Sequence, residues 1–293
     1  MPGRPGLTFL SKKQEWTKQR WSNEPPLFHK INIPSSKSPR LLRKQKTMKK
    51  ILFTLALAIA TVFAQAQTAN EIISVCKEAM GGAAWDKIDG LKYIATVEQG
   101  GMKIPLEIVA MRDGRMYTKI SFQGMEITQG AYDGTTVWST NFMTQKAEKA
   151  DDETTENTKR TCKDFPLSLF QCKELGYTAS VEDDQTIEGV NCYKIRLDKK
   201  TALSEGKEVP NVEYYYIDKD SKAVIMTESE ITSGEMKGKF TQIKYSDYQE
   251  VAGAYVAFSQ SIGIKDGESQ TLSFEKIEAN PTVADENFKF PGE

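Results

Sequence analysis

One histidine, His29, and four cysteines, Cys76, Cys162, Cys172 and Cys192, are the residues from which most hydrolytic, redox and metal chemistry would have to be built. His29 lies in an N-terminal stretch that reads as a leader. Beyond it no imidazole can serve as general base, zinc ligand or member of a Ser-His-Asp or Cys-His arrangement. The cysteines show no C-x-x-C spacing. An even number in a chain bound for an oxidising compartment permits three pairings, and the short loop makes Cys162 with Cys172 the favoured one. Inert buried thiols are the alternative, and Cys76 falls on the apolar side of a helix, where it reads as core. Carboxylates and tyrosines remain as acids and bases. Glycoside chemistry needs two carboxylates facing across a cleft, and the sequence singles out no such pair. The acids around Asp151 and Asp152 suggest calcium by their number, but they lack the spaced register with a central glycine that a calcium loop uses. No cofactor and no metal is called for.

The leader has two parts. Lys49 and Lys50 precede an apolar run of 13 residues, Ile51 to Phe63, and Ala64-Gln65-Ala66 follows. This is the layout of a cleaved secretory signal over 48–66, and the run is short of the ~20 residues that cross a bilayer. Cleavage is predicted between Ala66 and Gln67. Because Gln67 stands where a lipoprotein has cysteine, the product is expected to be soluble in the periplasm rather than lipid-anchored. Residues 1–47 carry eleven Lys and Arg against Glu15 and Glu24 with no apolar period. They read as a disordered basic extension, with Met48 as the expected native start. Residues 1–66 hold 13 of the 39 basic and 2 of the 40 acidic side chains, so 26 against 38 remain, a net charge of −12. Nucleic acid, which is bound by neutralising phosphates, is not an expected partner.

Residues 67–293 are expected to form a single domain. Thr68-Ala69-Asn70-Glu71 has capping-box spacing, Ile72, Ile73, Cys76, Ala79 and Met80 make one apolar helix face, and Gly81-Gly82 ends it. From Leu91 the period becomes two. Leu91, Tyr93, Ala95 and Val97 form one row; Ile104, Leu106, Ile108 and Ala110 the next; Met116, Thr118, Ile120 and Phe122 the third, with Tyr117, Lys119 and Ser121 on the wet side. Gly100-Gly101, Asp113-Gly114, Gly124 and Asp133-Gly134 are the turns between them. In the middle, "KAEKADDETTENTKRTCKD" is polar, with Asp151 and Asp152 as helix N-terminal acids. "FPLSLFQCKELG" suits a short amphipathic helix closed by Gly176. Strands resume from Thr186, with tight turns at Asp218 to Ser221 and Asp266-Gly267. The fold class is α+β, mainly β: about ten or eleven antiparallel strands in a strongly curved half-barrel with helices packed on the concave face.

A sheet of that length curls, splits or closes. Its inward rows are expected to include Met102, Met111, Met116, Met125, Met143, Met226 and Met236, adaptable side chains suited to varied apolar partners. An incompletely filled cup would hold an apolar groove lined by Leu91, Tyr93, Val97, Ile104, Leu106, Ile108, Met116, Ile120, Phe122, Met125, Ile127, Leu167 and Phe170. The plainer reading is that these side chains pack against one another as core.

An ordered set of short motifs, "AMGG", "WDKIDGLKYIATVEQ", "YDGTTVW", "YYYIDKDSKAVIM", "YSDYQEVAGAYVAFS" and "IEANPTVADENFKFP", resembles the LolA-like family of periplasmic lipoprotein carriers, in its Bacteroidetes-type secreted branch. The resemblance spans about Thr68 to Pro291. It implies an open half-barrel whose apolar concave side takes acyl chains or a lipidated protein, with no catalytic group. It also implies a monomer and possible inner- and outer-membrane components of a sorting pathway as partners. The carrier's functional arginine has no single counterpart among Arg112, Arg115, Arg160 and Arg196. The proline that often follows the glycine of "VAG" by four residues is Ala257. The same fold admits an envelope-stress sensor or a cell-envelope interaction module. For the latter, Tyr214, Tyr215 and Tyr216 would form an exposed aromatic row on a sheet edge. A carboxylate-based hydrolase ranks last.

Overall fold

The computed structural model describes residues 67–99, 102–232 and 234–292. The basic extension 1–47, the signal peptide 48–66 and the Gly100-Gly101 turn lie outside the described residues.

The first helix, α1 (Ala69–Ala79), begins with the expected reciprocal cap. Thr68 accepts from the Glu71 N–H at 3.3 Å, and the Glu71 carboxylate accepts from the Thr68 N–H at 2.8 Å. Ile72, Ile73 and Cys76 are buried on one face. At its end Gly81 has φ +118°, and a Cβ there would sit 2.6 Å from the Ala254 Cα. Glycine is therefore required twice, by backbone conformation and by close approach. A 3₁₀ turn, Gly82–Lys87, follows.

The strands are β1 (Gly90–Gln99), β2 (Met102–Met111), β3 (Met116–Phe122), β4 (Met125–Tyr132), β5 (Val137–Thr140), β6 (Ala147–Lys149), β7 (Thr178–Ile187), β8 (Val190–Asp198), β9 (Ala202–Ser204), β10 (Lys207–Val209), β11 (Val212–Asp218), β12 (Val224–Glu230), β13 (Phe240–Val251), β14 (Ala254–Ile264) and β15 (Ser269–Ala279). Thirteen of them form one open antiparallel sheet in the order β6-β5-β4-β3-β2-β1-β15-β14-β13-β12-β11-β8-β7, while β9 and β10 make a separate hairpin. Strand accounts for 51% of the structure. The expected ten or eleven strands was an undercount, because short β5, β6, β9 and β10 carry too few residues to show a period. The first and last strands meet mid-sheet, where β1 pairs with β15.

Turn chemistry follows the sequence. The Asp133 carboxylate accepts from the N–H groups of Thr135 and Thr136, each at 2.8 Å, and Asp218 does the same for Asp220 at 2.9 Å and Ser221 at 3.2 Å. These Asx turns hold the chain in the conformation the hairpin needs.

The middle of the chain follows expectation at Asp151 and Asp152 and departs from it after Asp164. The polar run forms β6 and then α2 (Asp152–Thr161), capped by Asp151, which accepts from the Thr154 N–H at 2.6 Å. Acids in its first turn and Lys159 and Arg160 in its last complement the helix dipole. The amphipathic helix expected in 165–176 is instead a 3₁₀ turn, Ser168–Gln171, flanked by irregular chain. Its apolar residues Phe165, Leu169, Phe170 and Cys172 are all buried, so tertiary burial rather than helical period fixes the segment.

The main core joins α1 and the 164–177 segment to one face of the sheet, through Leu91, Ala95 and Leu106 on one side and Ile195, Leu197, Tyr215, Ile217 and Val224 on the other. A second core lies on the opposite face: Val109, Tyr117, Ala131 and Trp138 under Val283, Phe288 and Phe290 of the C-terminal segment. Tyr117, expected on the wet side, is buried there with its ring 5.3 Å from that of Phe288. All four cysteines are free, so the expected Cys162–Cys172 pairing is not formed; Cys76, Cys172 and Cys192 are buried thiols. The tyrosine row is not on an edge either. Strand β11 lies between β8 and β12, with Tyr215 and Tyr216 buried. Of the methionines expected to point inward, Met102, Met116, Met125, Met143 and Met236 are exposed, Met143 at 89%, because they stand at or beside hairpin ends where the sheet has no covering layer. Among the described residues no helix is long and apolar enough to cross a membrane.

Candidate ligand-binding site

Register places one row of side chains from neighbouring strands side by side. Ala95 pairs with Leu106 and Phe274, Val97 with Ile104, and Leu106 with Ile120, and each of these side chains faces the main core because alternate residues of a strand share a face. Toward the hairpin ends that face is no longer covered by helices. There Val97, Ile104, Leu106, Ile120, Ile262 and Leu272, with Gln129 and Gln270, line a pocket of about 390 Å³. None of the lining side chains carries a charge or a nucleophile.

A second pocket, of about 140 Å³, lies further along the same face beneath the helical cover. Met80 and Trp85 come from the end of α1 and the turn after it, Pro166 and Leu167 from the 164–177 segment, and Leu91, Tyr93, Val224, Tyr245, Tyr248, Val256 and Gln260 from the sheet. The two pockets adjoin, since Gln260 of the second is the register partner of Leu272 of the first and of Tyr245 on its other side. Burial raises the phenols here: Tyr245 is pushed up to about 12, and Tyr93 and Tyr248 are also raised, chiefly by burial with the nearby Tyr245 adding to it. These tyrosines stay neutral at physiological pH.

The cover is held by polar ties. Arg112, at the end of β2, donates from Nε to the Ile88 carbonyl at 3.0 Å and from Nη2 to the same carbonyl at 2.7 Å, and also to the Trp85 carbonyl. Its guanidinium lies 5.6 Å from the Phe165 ring centre. One side chain thus joins the 3₁₀ turn, the 164–177 segment and the sheet. At the other end of that segment Lys199 donates to Asp164 at 2.8 Å and to Glu213 at 3.3 Å, Tyr177 donates to Asp164 at 2.7 Å, and Ser168 donates to Glu213 at 3.0 Å. Burial works against the Lys199 ammonium, yet Glu213 and Asp164 together hold its pKa above the usual lysine value.

The residues expected to line a groove are therefore divided. Val97, Ile104, Leu106 and Ile120 meet in the larger pocket, and Leu91, Tyr93 and Leu167 in the smaller. Ile108 lies against the main core and Phe170 is buried in it, 6.2 Å from the Trp85 ring, and Ile127 is buried. Met116 and Met125 are exposed, and the Phe122 ring lies tilted, 6.2 Å from that of the exposed Phe142. Sequence reasoning missed the β14 and β15 contribution, Gln260, Ile262, Gln270 and Leu272, although their alternation in "AYVAFSQSI" and "SQTLSFEKI" carried the signal.

In fold the chain is similar to LolA-superfamily and lipoprotein-sorting domains. The solved structures include a LolA superfamily protein from Nitrosomonas europaea, 12% identical over 76% of this chain and 98% of that one, TM-score 0.47. A domain assigned to outer-membrane lipoprotein sorting from Vibrio parahaemolyticus is 9% identical over 75% and 97%, TM-score 0.46. A DUF1329 family protein from Desulfovibrio piger is 11% identical over 75% and 95%, TM-score 0.47. No family model matches the chain, and no curated sequence does.

Proposed function

We propose that this protein is a non-catalytic, periplasmic lipid- or lipoprotein-binding protein, a carrier or sorting factor for outer-membrane lipoproteins whose pockets receive acyl chains. The observation that carries the reading is the 390 Å³ pocket with six aliphatic side chains and two neutral amides in its lining. Burying hydrocarbon there gains about 0.8 kcal/mol per methylene, and the lining supplies no group for acid, base or nucleophilic work. A concave sheet with the helices on its inner side is supported by the reach of α1. Its end is tied to β14, where the Tyr255 backbone N–H donates to the Met80 carbonyl at 2.9 Å, and it also touches β7. On a flat sheet those strands would be about 24 Å apart, while eleven helical residues span about 16 Å. The signal layout of residues 48–66 and the ordered motifs from Thr68 to Pro291 support the same reading.

Native mass spectrometry of protein secreted to a bacterial periplasm tests it. The expected result is retained acyl species that are lost when Ile120→Trp fills the larger pocket. A bare protein mass that takes up no lipid or lipopeptide on titration would overturn the proposal.

A further inference from the structure

Where the two pockets meet, three polar but uncharged side chains face the same space. Tyr93 of β1, Tyr245 of β13 and Gln260 of β14 all line the smaller pocket, and Gln260 stands in register between Tyr245 and Leu272, which lines the larger one. Tyr245 is already engaged, its hydroxyl lying 3.2 Å from that of Thr227. The Tyr93 hydroxyl and the Gln260 side-chain amide, by contrast, make no hydrogen bond with any of the described residues. The Tyr93 ring packs against Phe274, with centroids 5.0 Å apart. Both residues are half-buried and neither polar group is shut away from solvent, so a ligand that buries apolar surface around them must supply the partner that solvent otherwise provides.

Resting on the acyl-binding reading above, we propose that Tyr93 and Gln260 recognise the neutral carbonyl linkage of an acyl ester or amide. The hydrocarbon chain then lies along Val97, Leu106 and Ile262. Both side chains can donate to a carbonyl oxygen, and Gln260 can in addition accept from an amide N–H. No lysine, arginine or carboxylate lines either pocket, so an ionised fatty acid would have its charge desolvated without compensation. The site therefore discriminates by linkage: ester or amide in preference to ether, and either of these in preference to free carboxylate.

The test compares 1-palmitoyl lysophosphatidylcholine with its 1-O-hexadecyl ether counterpart, which differ only in the carbonyl, together with palmitate. Each displaces a pocket-bound fluorescent dye below its micelle concentration at pH 7.5. The ester is expected to bind roughly two- to tenfold more tightly than the ether, the worth of one hydrogen bond, and palmitate more weakly than both. Tyr93→Phe and Gln260→Leu are each expected to bring the ester-to-ether ratio toward one. The ratio is internal to each variant, so a partial loss of folded protein does not mimic the effect. Equal affinity for ester and ether in the parent protein, or palmitate binding as tightly as the ester, overturns the linkage assignment while leaving acyl binding intact. Displacement by neither lipid removes the acyl-binding reading itself, and this inference with it.

Discussion

The Trp138 indole donates to the Phe288 carbonyl at 2.8 Å, pinning the C-terminal segment across the sheet face opposite the pockets. Around this bond Arg115 reaches Asp285 at 2.7 Å and lies 4.8 Å from the Phe288 ring centre. The segment thus covers Val109, Tyr117 and Ala131, which would otherwise face solvent. Phe288→Ala is expected to destabilise the protein by about 3–5 kcal/mol, the range for truncating a buried aromatic. Trp138→Phe, which keeps an aromatic side chain but removes the N–H donor and part of the indole volume, should cost less, about 1–2 kcal/mol. Urea unfolding of the two variants checks the ordering; equal losses would mean that the segment contributes little apolar burial.

How far this architecture was readable depends on whether a contact is local in sequence. The meander was legible because Leu91, Tyr93, Ala95 and Val97, then Ile104, Leu106 and Ile108, alternate strictly, and because Asp133 and Asp218 announce their turns. The α1 cap was legible for the same reason, since Thr68 and Glu71 are three residues apart. Tyr117 was misread because one row per strand was taken to be dry. Here the opposite face of β2 to β5 is also buried, with Val109, Tyr117, Ala131 and Trp138 under Val283, Phe288 and Phe290, whose spacing matches no regular period. In the site, the rows of β1 to β3 stood out in advance. The ties of Arg112 to Trp85 and Ile88, and of Lys199 to Asp164 and Glu213, could not be read. They join residues 14 to 35 positions apart whose types are common on any surface.

Gly81 offers a sharp test of how α1 is seated. At φ +118° with a would-be Cβ 2.6 Å from the Ala254 backbone, alanine has neither the conformation nor the room. Gly81→Ala should destabilise by more than the ~1 kcal/mol that conformation alone would cost. By contrast, Gly189→Ala is also strained, at φ +88°, but meets nothing within 4 Å, so it should show the conformational part alone. Thermal unfolding of the pair separates the two effects, and equal shifts would argue against close seating of α1 on β14.

Arg112 is the side chain that joins the cover to the sheet, so its loss should loosen the cover before the whole fold. Arg112→Met keeps much of the stem that lies near Phe165 while removing the donors to the Ile88 and Trp85 carbonyls. Hydrogen exchange is expected to quicken in residues 82–88 and 164–172 with the β11 and β12 amides unchanged, the pattern of local rather than global opening. Uniform quickening across the sheet would instead make Arg112 a general stabilising residue.

The Lys199 cluster sets an alkaline limit. Lys199 has a folded pKa above its unfolded value, so its contribution is complete below about pH 10 and is lost as pH rises through the folded value. Tyr177, raised by burial and by its bond to Asp164, acts in the same direction. Above pH 10 the folded state keeps protons that the unfolded chain releases, and stability must fall as pH increases. Lys199→Met leaves Asp164 and Glu213 facing each other with their cation gone, a loss on the order of 3 kcal/mol for such a partly buried arrangement. Its stability should also decline less steeply between pH 10 and 11, because one of the retained protons is absent. Urea unfolding of both proteins at pH 8, 10 and 11 measures this. If the two curves fall in parallel, the lysine proton is not what the folded state holds, and the tie between the 164–177 segment and the sheet must rest on Tyr177 and Ser168 instead.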